Sequence, residues 1–301
     1  MSPTAIPGNL LLKNGMVITG READPLLLDS YSGAAAAYSL RQLSWAYGGP
    51  VVRVRRDNNN AEQDFTATEV SDGTLATWVG AGNNGFVRTW YDQSGNGRNA
   101  EQSTEANQPQ LVSGGVLLLE NNTPALNFDG INDSLRADNV ATAIGTISST
   151  QTLVMVARST KGSPPGTSSA FVSYGSSTTT EPVFFTGQAS ASQAGLLSHR
   201  TTSLIDTPIT AGNVNSQSLF SVFAAQTSRS LQINNGSPTT SALDIGSGGI
   251  VNQFAIGCLS RTTDALFALG NVQEVIVYHS NMSSLFAGIR SNINAHYSIY
   301  P

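Results

Sequence analysis

Phe86-Val-Arg-Thr-Trp-Tyr-Asp-Gln-Ser-Gly-Asn-Gly-Arg-Asn-Ala100 passes from an alternating run straight into a polar, glycine-rich corner, and this passage points to the fold class. Strand side chains alternate faces, so the run predicts Phe86, Arg88 and Trp90 on one side and Val87, Thr89 and Tyr91 on the other. Asp92 to Gly97 then supplies two glycines and short polar side chains. Glycine accepts left-handed backbone angles, and Asp, Asn and Ser cap their own turns. The stretch therefore reads as a strand that stops at a fixed corner.

The rest of the composition agrees with an all-β chain. Only 12% of the 301 residues are charged and 29 are glycine, which suits many short strands joined by turns. A net charge of −5, with no basic cluster beyond Arg53-Val-Arg55-Arg56, argues against a nucleic-acid partner. The single Cys258 lies in an apolar run and reads as a small buried hydrophobe; one cysteine builds neither a disulfide framework nor a thiolate metal site. No run approaches the ~18 apolar residues that span a bilayer, so no membrane insertion is expected. The opening Met1-Ser-Pro-Thr-Ala5 lacks a charged segment followed by an apolar core, which predicts synthesis in a host cytoplasm without classical secretion.

Along the chain, residues 1–24 read as an arm broken by Pro3, Pro7, Gly8, Gly15 and Gly20, and residues 25–301 as one sandwich domain. Leu10 to Ile18 is apolar enough to make the arm an attachment segment that docks on a partner. Gly33 to Trp45, rich in alanine, predicts a helix, as does Asp72 to Val79. Val51 to Arg56 alternates as a strand, and from Val116 to Tyr278 short β-branched or aromatic runs recur between turns, the pattern of a sandwich or barrel. Asn235-Gly236 marks a hairpin turn. Leu285, Phe286, Ile289, Ile293 and Tyr297 fall on one stripe of a closing helix.

Trp90-Tyr-Asp-Gln-Ser-Gly-Asn-Gly97, Pro124-Ala-Leu-Asn-Phe-Asp-Gly130, Gly270-Asn-Val-Gln-Glu-Val-Ile-Val-Tyr278 and the closing helix together resemble the concanavalin-like (laminin-G-like) jelly-roll β-sandwich. The version found in phage virion proteins and in the catalytic domain of fungal α-L-arabinofuranosidase B is the nearest. The resemblance runs from about Leu26 to Tyr300 and is strongest at Tyr91 to Gly97. It implies a sandwich with a few short helices, including one at the C-terminus.

The same resemblance fails where an arabinofuranosidase does its chemistry. The family has a vicinal cysteine pair before a Phe-Asp-Tyr-Gly run, and the matching Ser169-Ala-Phe-Val-Ser-Tyr-Gly175 has no cysteine. Its nucleophilic glutamate has no counterpart between Phe185 and Phe220, where Asp206 is the only carboxylate. Its acid/base aspartate falls near Asp264. A double displacement needs two carboxylates about 5 Å apart, so no catalytic role is transferred; Asp264, Glu181 and Glu274 remain as weak candidates. Asp92, Asn96 and Tyr174 are candidate ligand-binding residues, with a structural turn as the alternative for the first two. Asp129, Asn132 and Asp133 have oxygen donors at a spacing that calcium accepts, against a plain Asx-stabilised turn.

The expectation that follows is a non-enzymatic phage virion protein: a head decoration, fibre or tail-associated component. Residues 1–24 would hold other virion proteins, and a homo-oligomer such as a trimer would display the sandwich toward cell-surface glycan. A free carbohydrate-binding module and an arabinofuranosidase-like glycoside hydrolase are the alternatives. No cofactor other than calcium is implied.

Overall fold

The computed structural model describes residues 9–11, 17–19, 24–160, 169–179, 183–190, 193–199, 211–242, 244 and 249–301. Within the N-terminal segment, Asn9–Leu11 pairs antiparallel with Val17–Thr19. The main body is built from β1 (Ala36–Ser39), β2 (Val52–Arg56), β3 (Glu62–Phe65), β4 (Gly85–Trp90), β5 (Ala100–Glu101), β6 (Gln110–Ser113), β7 (Leu126–Asp129), β8 (Leu135–Arg136), β9 (Gln151–Ser159), β10 (Ser169–Gly175), β11 (Val183–Ser190), β12 (Gln193–His199), β13 (Ser218–Ala225), β14 (Ser228–Ile233), β15 (Gln253–Ile256) and β16 (Leu269–Tyr278). Two of the helices matter below, α1 (Thr74–Val79) and α2 (Phe286–Tyr297).

Register shows how one strand feeds two layers. β4 pairs with β2 along one edge. Along its other edge β5 and β6 lie end to end, Thr89 opposite Glu101 and Phe86 opposite Gln110. From there the layers part. The front sheet continues β5, β8, β15, β10, β11, β12, and the back sheet continues β6, β7, β16, β9, β13, β14. The chain passes between the layers at several places, among them residues 102–109, 130–134 and 257–268. The first two of these corners bond to one another: Gln102 Nε2 donates to Ser134 O (3.0 Å), Ser134 N to Asn107 O (3.0 Å) and Asn132 Nδ2 to Asn107 Oδ1 (3.0 Å). Gly257 is required at this seam, because at φ +95° a Cβ would stand 2.3 Å from Phe128 Cε1.

Both faces of the back sheet are covered, which is why its strands are apolar nearly throughout rather than alternating. Leu153, Met155, Phe220, Val275 and Val277 meet Val54, Val87, Trp90 and Ile256 of the front sheet in the core, with Phe171 edge-on to Phe220 at 6.2 Å. Val154, Val156, Leu219, Ile276 and Tyr278 face the other way, under α2. The predicted stripe of α2 is present, with Phe286, Ile289, Ile293 and Tyr297 buried; Leu285 falls outside it, 43% exposed. Each such side chain contributes about 1.5–3 kcal/mol when fully buried. The expected helix near residue 72 is α1, and the predicted hairpin turns at Asn234, whose φ is +53°, with Gly236 N bonded to Ile233 O.

Two local expectations give way to tertiary demands. Gly33 to Trp45 contains a strand, β1, instead of a helix. β1 lies beside the second half of β16, and its opposite edge is paired by the Asp92–Arg98 corner. Gln93 N donates to Ala37 O (2.8 Å), and Ala37 N donates to Asp92 Oδ1 (2.9 Å). Gln93 Nε2 reaches Ser39 O and Arg41 O, both at 2.9 Å. Asn96 Nδ2 reaches Ala34 O (2.9 Å), and Arg98 Nη1 reaches Ala35 O (2.8 Å). A strand with partners on both edges outweighs alanine's helix propensity of a few tenths of a kcal/mol per residue. In β4 the strict alternation also fails. Arg53 opposes Thr89 while Val54 opposes Val87, leaving Arg88 as the extra residue of a bulge. Trp90 is consequently in the core with Val87, while Phe86, Arg88 and Thr89 face outward.

Asp92 is buried and accepts hydrogen bonds from Ala37 N, Ser94 N, Ser94 Oγ and Arg98 N at 2.8–3.0 Å. Asp92→Ala removes an acceptor from three backbone amides at once and is expected to destabilise the fold by about 3–5 kcal/mol. Chemical denaturation measures it. A loss below about 1 kcal/mol, the size of an ordinary substitution, would remove the corner from its structural role.

Candidate functional site

The outward face of the front sheet carries a registered row: Asp64, Arg53, Thr89, Glu101, Arg136, Ala255 and Ser173 stand opposite one another from β3 to β10. The bulge adds Arg88 to this face, where its Nε lies 3.9 Å from Glu62 and its Nη1 3.6 Å from Glu101. The 257–268 corner folds over the far end of the row. Ser173 Oγ donates to Cys258 O (2.8 Å) and accepts from Ser260 N (2.9 Å), and Leu259 and Ala265 exchange two backbone bonds. This corner presents Asp264 to Arg136, whose Nη2 donates to both carboxylate oxygens at 2.9 and 3.0 Å, while Nη1 donates to Ser260 Oγ.

Between the covered and the open parts of the row lies a cleft of about 440 Å³ lined by Arg88, Asn99, Glu101, Gln102, Arg136 and Asp138, among others. The Arg88 guanidinium, whose Nη1 makes no hydrogen bond, gives it a cationic donor beside the Arg136 fork that Asp264 and Ser260 hold, and Glu101, 53% exposed on its side chain, gives it an open carboxylate acceptor. Asp138 accepts from Phe254 N at 3.0 Å. Its carboxyl is nonetheless raised above the usual range, chiefly because burial disfavours the charge. The Cys258 thiol is pushed up to about 12, first by burial and then by Asp264, so it stays protonated.

The residues singled out in sequence fall in separate places. Asp92 and Asn96 bond the corner to β1 as described. Tyr174 is buried, edge-on to Phe254 at 5.0 Å. Glu274 faces α2 behind the back sheet, fully buried. It accepts from Arg41 Nε (2.7 Å), Arg41 Nη2 (3.0 Å), Ser39 Oγ (2.9 Å) and Tyr297 Oη (3.2 Å). Asp264 and Glu274 thus lie on opposite outer faces of the sandwich. Glu181 and Asp206 lie outside the described residues. Arg88 and Arg136, which the sequence reading passed over, are the most prominent cations of the cleft. Arg88 is hidden by the bulge; Arg136 stands in a two-residue strand too short to show alternation.

Asp129, Asn132 and Asp133 form a closed turn: Asp129 N donates to Asp133 Oδ2 (2.9 Å), and Ile131 N and Asn132 N donate to Asp129 Oδ1 (2.8 and 3.3 Å). Among the described residues no group of three or more His, Cys, Asp or Glu stands where a metal ion could be held.

No family model and no curated protein sequence matches the chain. Solved structures do. A GH54 α-L-arabinofuranosidase soaked with a cyclic sulfate inhibitor matches with a TM-score of 0.65 at 16% identity, over 89% of this chain and 64% of that one. An arabinofuranosidase complexed with arabinofuranosyl-α-1,2-xylobiose gives 0.63 at 16% identity over the same shares. The shared fold is the arabinofuranosidase sandwich. The chain therefore spans slightly less than two thirds of those enzymes. Ruminococcus gnavus IT-sialidase CBM40 bound to α2,3 sialyllactose overlaps 55% of this chain with a TM-score of 0.42 at 16% identity, too low to argue from. The all-β jelly-roll expectation and the arabinofuranosidase resemblance stand. The expectation of a chain that is not an enzyme is corrected, because the solved structures that share this fold over most of its length are glycoside hydrolases.

The Asp133 carboxyl lies well above the usual carboxylate range. It is pushed up to about 7, by burial first and by Asp129 second. The unfolded chain releases this proton near pH ~4, and the folded chain holds it to about pH 7. The contribution is therefore full at the acid end and lost as pH rises through that window. Asp133→Asn should flatten the decline of stability between about pH 4.5 and 8. Denaturation midpoints at the two pH values check this, and an unchanged slope refutes it.

Proposed function

We propose that this protein recognises carbohydrate in the front-sheet cleft between Arg88 and Arg136. The observation that supports this most directly is the composition of the cleft: the Arg88 guanidinium beside the Arg136–Asp264 pair, open carboxylate and amide groups and no large apolar lining, placed on the outward face of a sandwich shared with arabinofuranosidases. Neighbouring hydroxyls on a sugar ring are bound by such forks and carboxylates in paired hydrogen bonds. A glycoside-hydrolase reading is favoured by one further observation. Asp138, with its carboxyl raised by burial, shares the cleft with the exposed Glu101, and glycosidases work with one protonated and one ionised carboxyl.

The proposal extends to where the domain is mounted. Residues 1–24 attach it to other proteins of a virus particle as a homo-oligomer, a reading carried by the sequence alone.

Titration against arabinose-containing and other neutral oligosaccharides is expected to show binding that weakens about tenfold or more in Arg88→Ala and in Glu101→Gln. No binding to any glycan by the wild-type chain ends the reading. Release of reducing sugar that Asp138→Asn abolishes, with binding retained, establishes the hydrolase form. A chain lacking residues 1–24 that still joins particles removes the attachment role.

A further inference from the structure

A second polar cleft, on the back side of the seam and lined by Arg55, Gln110 and Asn127 among others, spends its donors on the protein itself. The surface beside the Asp92–Arg98 corner is different. There the loop 40–49, between β1 and β2, borders three adjoining hollows of about 160, 230 and 230 Å³. Tyr47 belongs to the walls of the first and second, and Gln42, Ala67 and Thr68 to the walls of the second and third, which ends at Tyr297 of α2. Each is smaller than the ~300 Å³ at which pockets for a whole small ligand begin. Joined by shared walls, they suit a chain that seats one unit in each.

The loop is held in one shape. Leu28 N donates to Leu43 O (2.8 Å), and Leu43 N donates to Gln93 Oε1 (2.8 Å). Gln42 Nε2 donates to Ser44 O and to Tyr47 O, both at 2.9 Å. Asp29 Oδ1 accepts from Ser44 Oγ (2.7 Å) and from Trp45 N (3.2 Å). Tyr47 Oη donates to Pro50 O (2.6 Å), which folds the side chain back over Gly49, where a Cβ would stand 3.0 Å from that oxygen. On this fixed loop, between Ser44 and Ala46 of the first hollow, Trp45 is 56% exposed. An exposed tryptophan by itself is ordinary surface. One whose backbone amide is pinned by a carboxylate, beside a hollow, is a preorganised platform that loses little freedom when a ligand stacks on it.

The walls also state the charge and shape of the occupant. They contain no carboxylate, and their arginine, Arg41, is closed on both oxygens of Glu274. With Nε2 used, Gln42 keeps Oε1 for a ligand, and Thr68 keeps its exposed hydroxyl. Residues 41–50 contain no strand, so the loop offers no ladder edge on which an extended peptide pairs. A sugar ring brings an apolar face to an aromatic platform and hydroxyls around its edge. We infer that the hollows along loop 40–49 bind an uncharged oligosaccharide chain, with Trp45 as its stacking platform. They share no lining residue with the front-sheet cleft, and the inference does not rest on that cleft being a glycan site.

The test is calorimetric titration of the full chain with xylohexaose, cellohexaose, xylose and glucose. At least one hexaose is expected to bind about tenfold or more tightly than its monosaccharide. Trp45→Ala should weaken that binding by about tenfold, and Trp45→Phe, which keeps a ring, by less. Thr68→Arg places a long side chain on the wall shared by the second and third hollows and should remove the advantage of length; because Thr68 is exposed, this variant reads binding independently of folding. Arg88→Ala should leave hexaose binding unchanged. Hexaose binding that follows Arg88 and ignores Trp45 and Thr68 belongs to the front-sheet cleft and overturns the inference. So does the absence of hexaose binding, equal affinity for hexaose and monosaccharide, or tighter binding of a proline decapeptide than of either hexaose.

Discussion

The carboxylate of Asp92 is the interaction on which the rest depends. It lies just beyond the end of β4, where the front and back sheets are still one, and it bonds across to Ala37 of β1 in the back layer. Four donors converge on it in a site closed to water. With Gln93, Asn96 and Arg98 it gives β1 a second partner made of side chains where no strand is available. An edge strand with free backbone groups invites pairing with another chain; here the corner occupies that edge. Because β1 in turn pairs with β16, the longest strand of the back sheet is held in place by a loop of the front sheet.

This arrangement also accounts for what could be read from residues alone. The corner was legible because its glycines and short polar side chains are demanded locally: Gly95 and Gly97 have φ of +88° and +68°. The stripe of α2 was legible because a helix packed on one face writes its period into the chain. The alanine run at 34–37 was misleading for the opposite reason. Its strand state comes from partners about 60 and 240 residues away in sequence, at the corner and in β16, and alanine itself leaves no mark of either. The bulge at Arg88 is equally silent, since one extra residue shifts every outward position after it without changing composition.

The candidate site was less legible than the fold because the carboxylates that attract notice in sequence serve structure. Asp92 closes a corner, Glu274 closes a buried pair with Arg41 beneath α2, and Asp264 ties a crossover loop to Arg136. Breaking such a pair leaves an uncompensated charge and costs several kcal/mol, so these residues report on folding when mutated. The residues that line the clefts are ordinary strand positions whose importance appears only once register sets them side by side.

The separation of the two layers explains why there are two clefts and why they differ. Each is floored by one branch of the sheet after β4, and the bonded corners at 102–109 and 130–134 between them keep the branches apart. The front branch carries Arg88 and Arg136, and although Asp264 fills one face of Arg136, the cleft retains cationic donors. The cleft on the back side has its Arg55 spent on Gln108, Asn60 and Glu105, and its amides donate to Asn271, Val112 and Asn84. The polarity of each cleft is thus decided by which hydrogen-bonding groups the scaffold leaves over. A fold whose sheets part at bonded crossovers can hold two surfaces of different polarity a few strands apart without either disturbing the core.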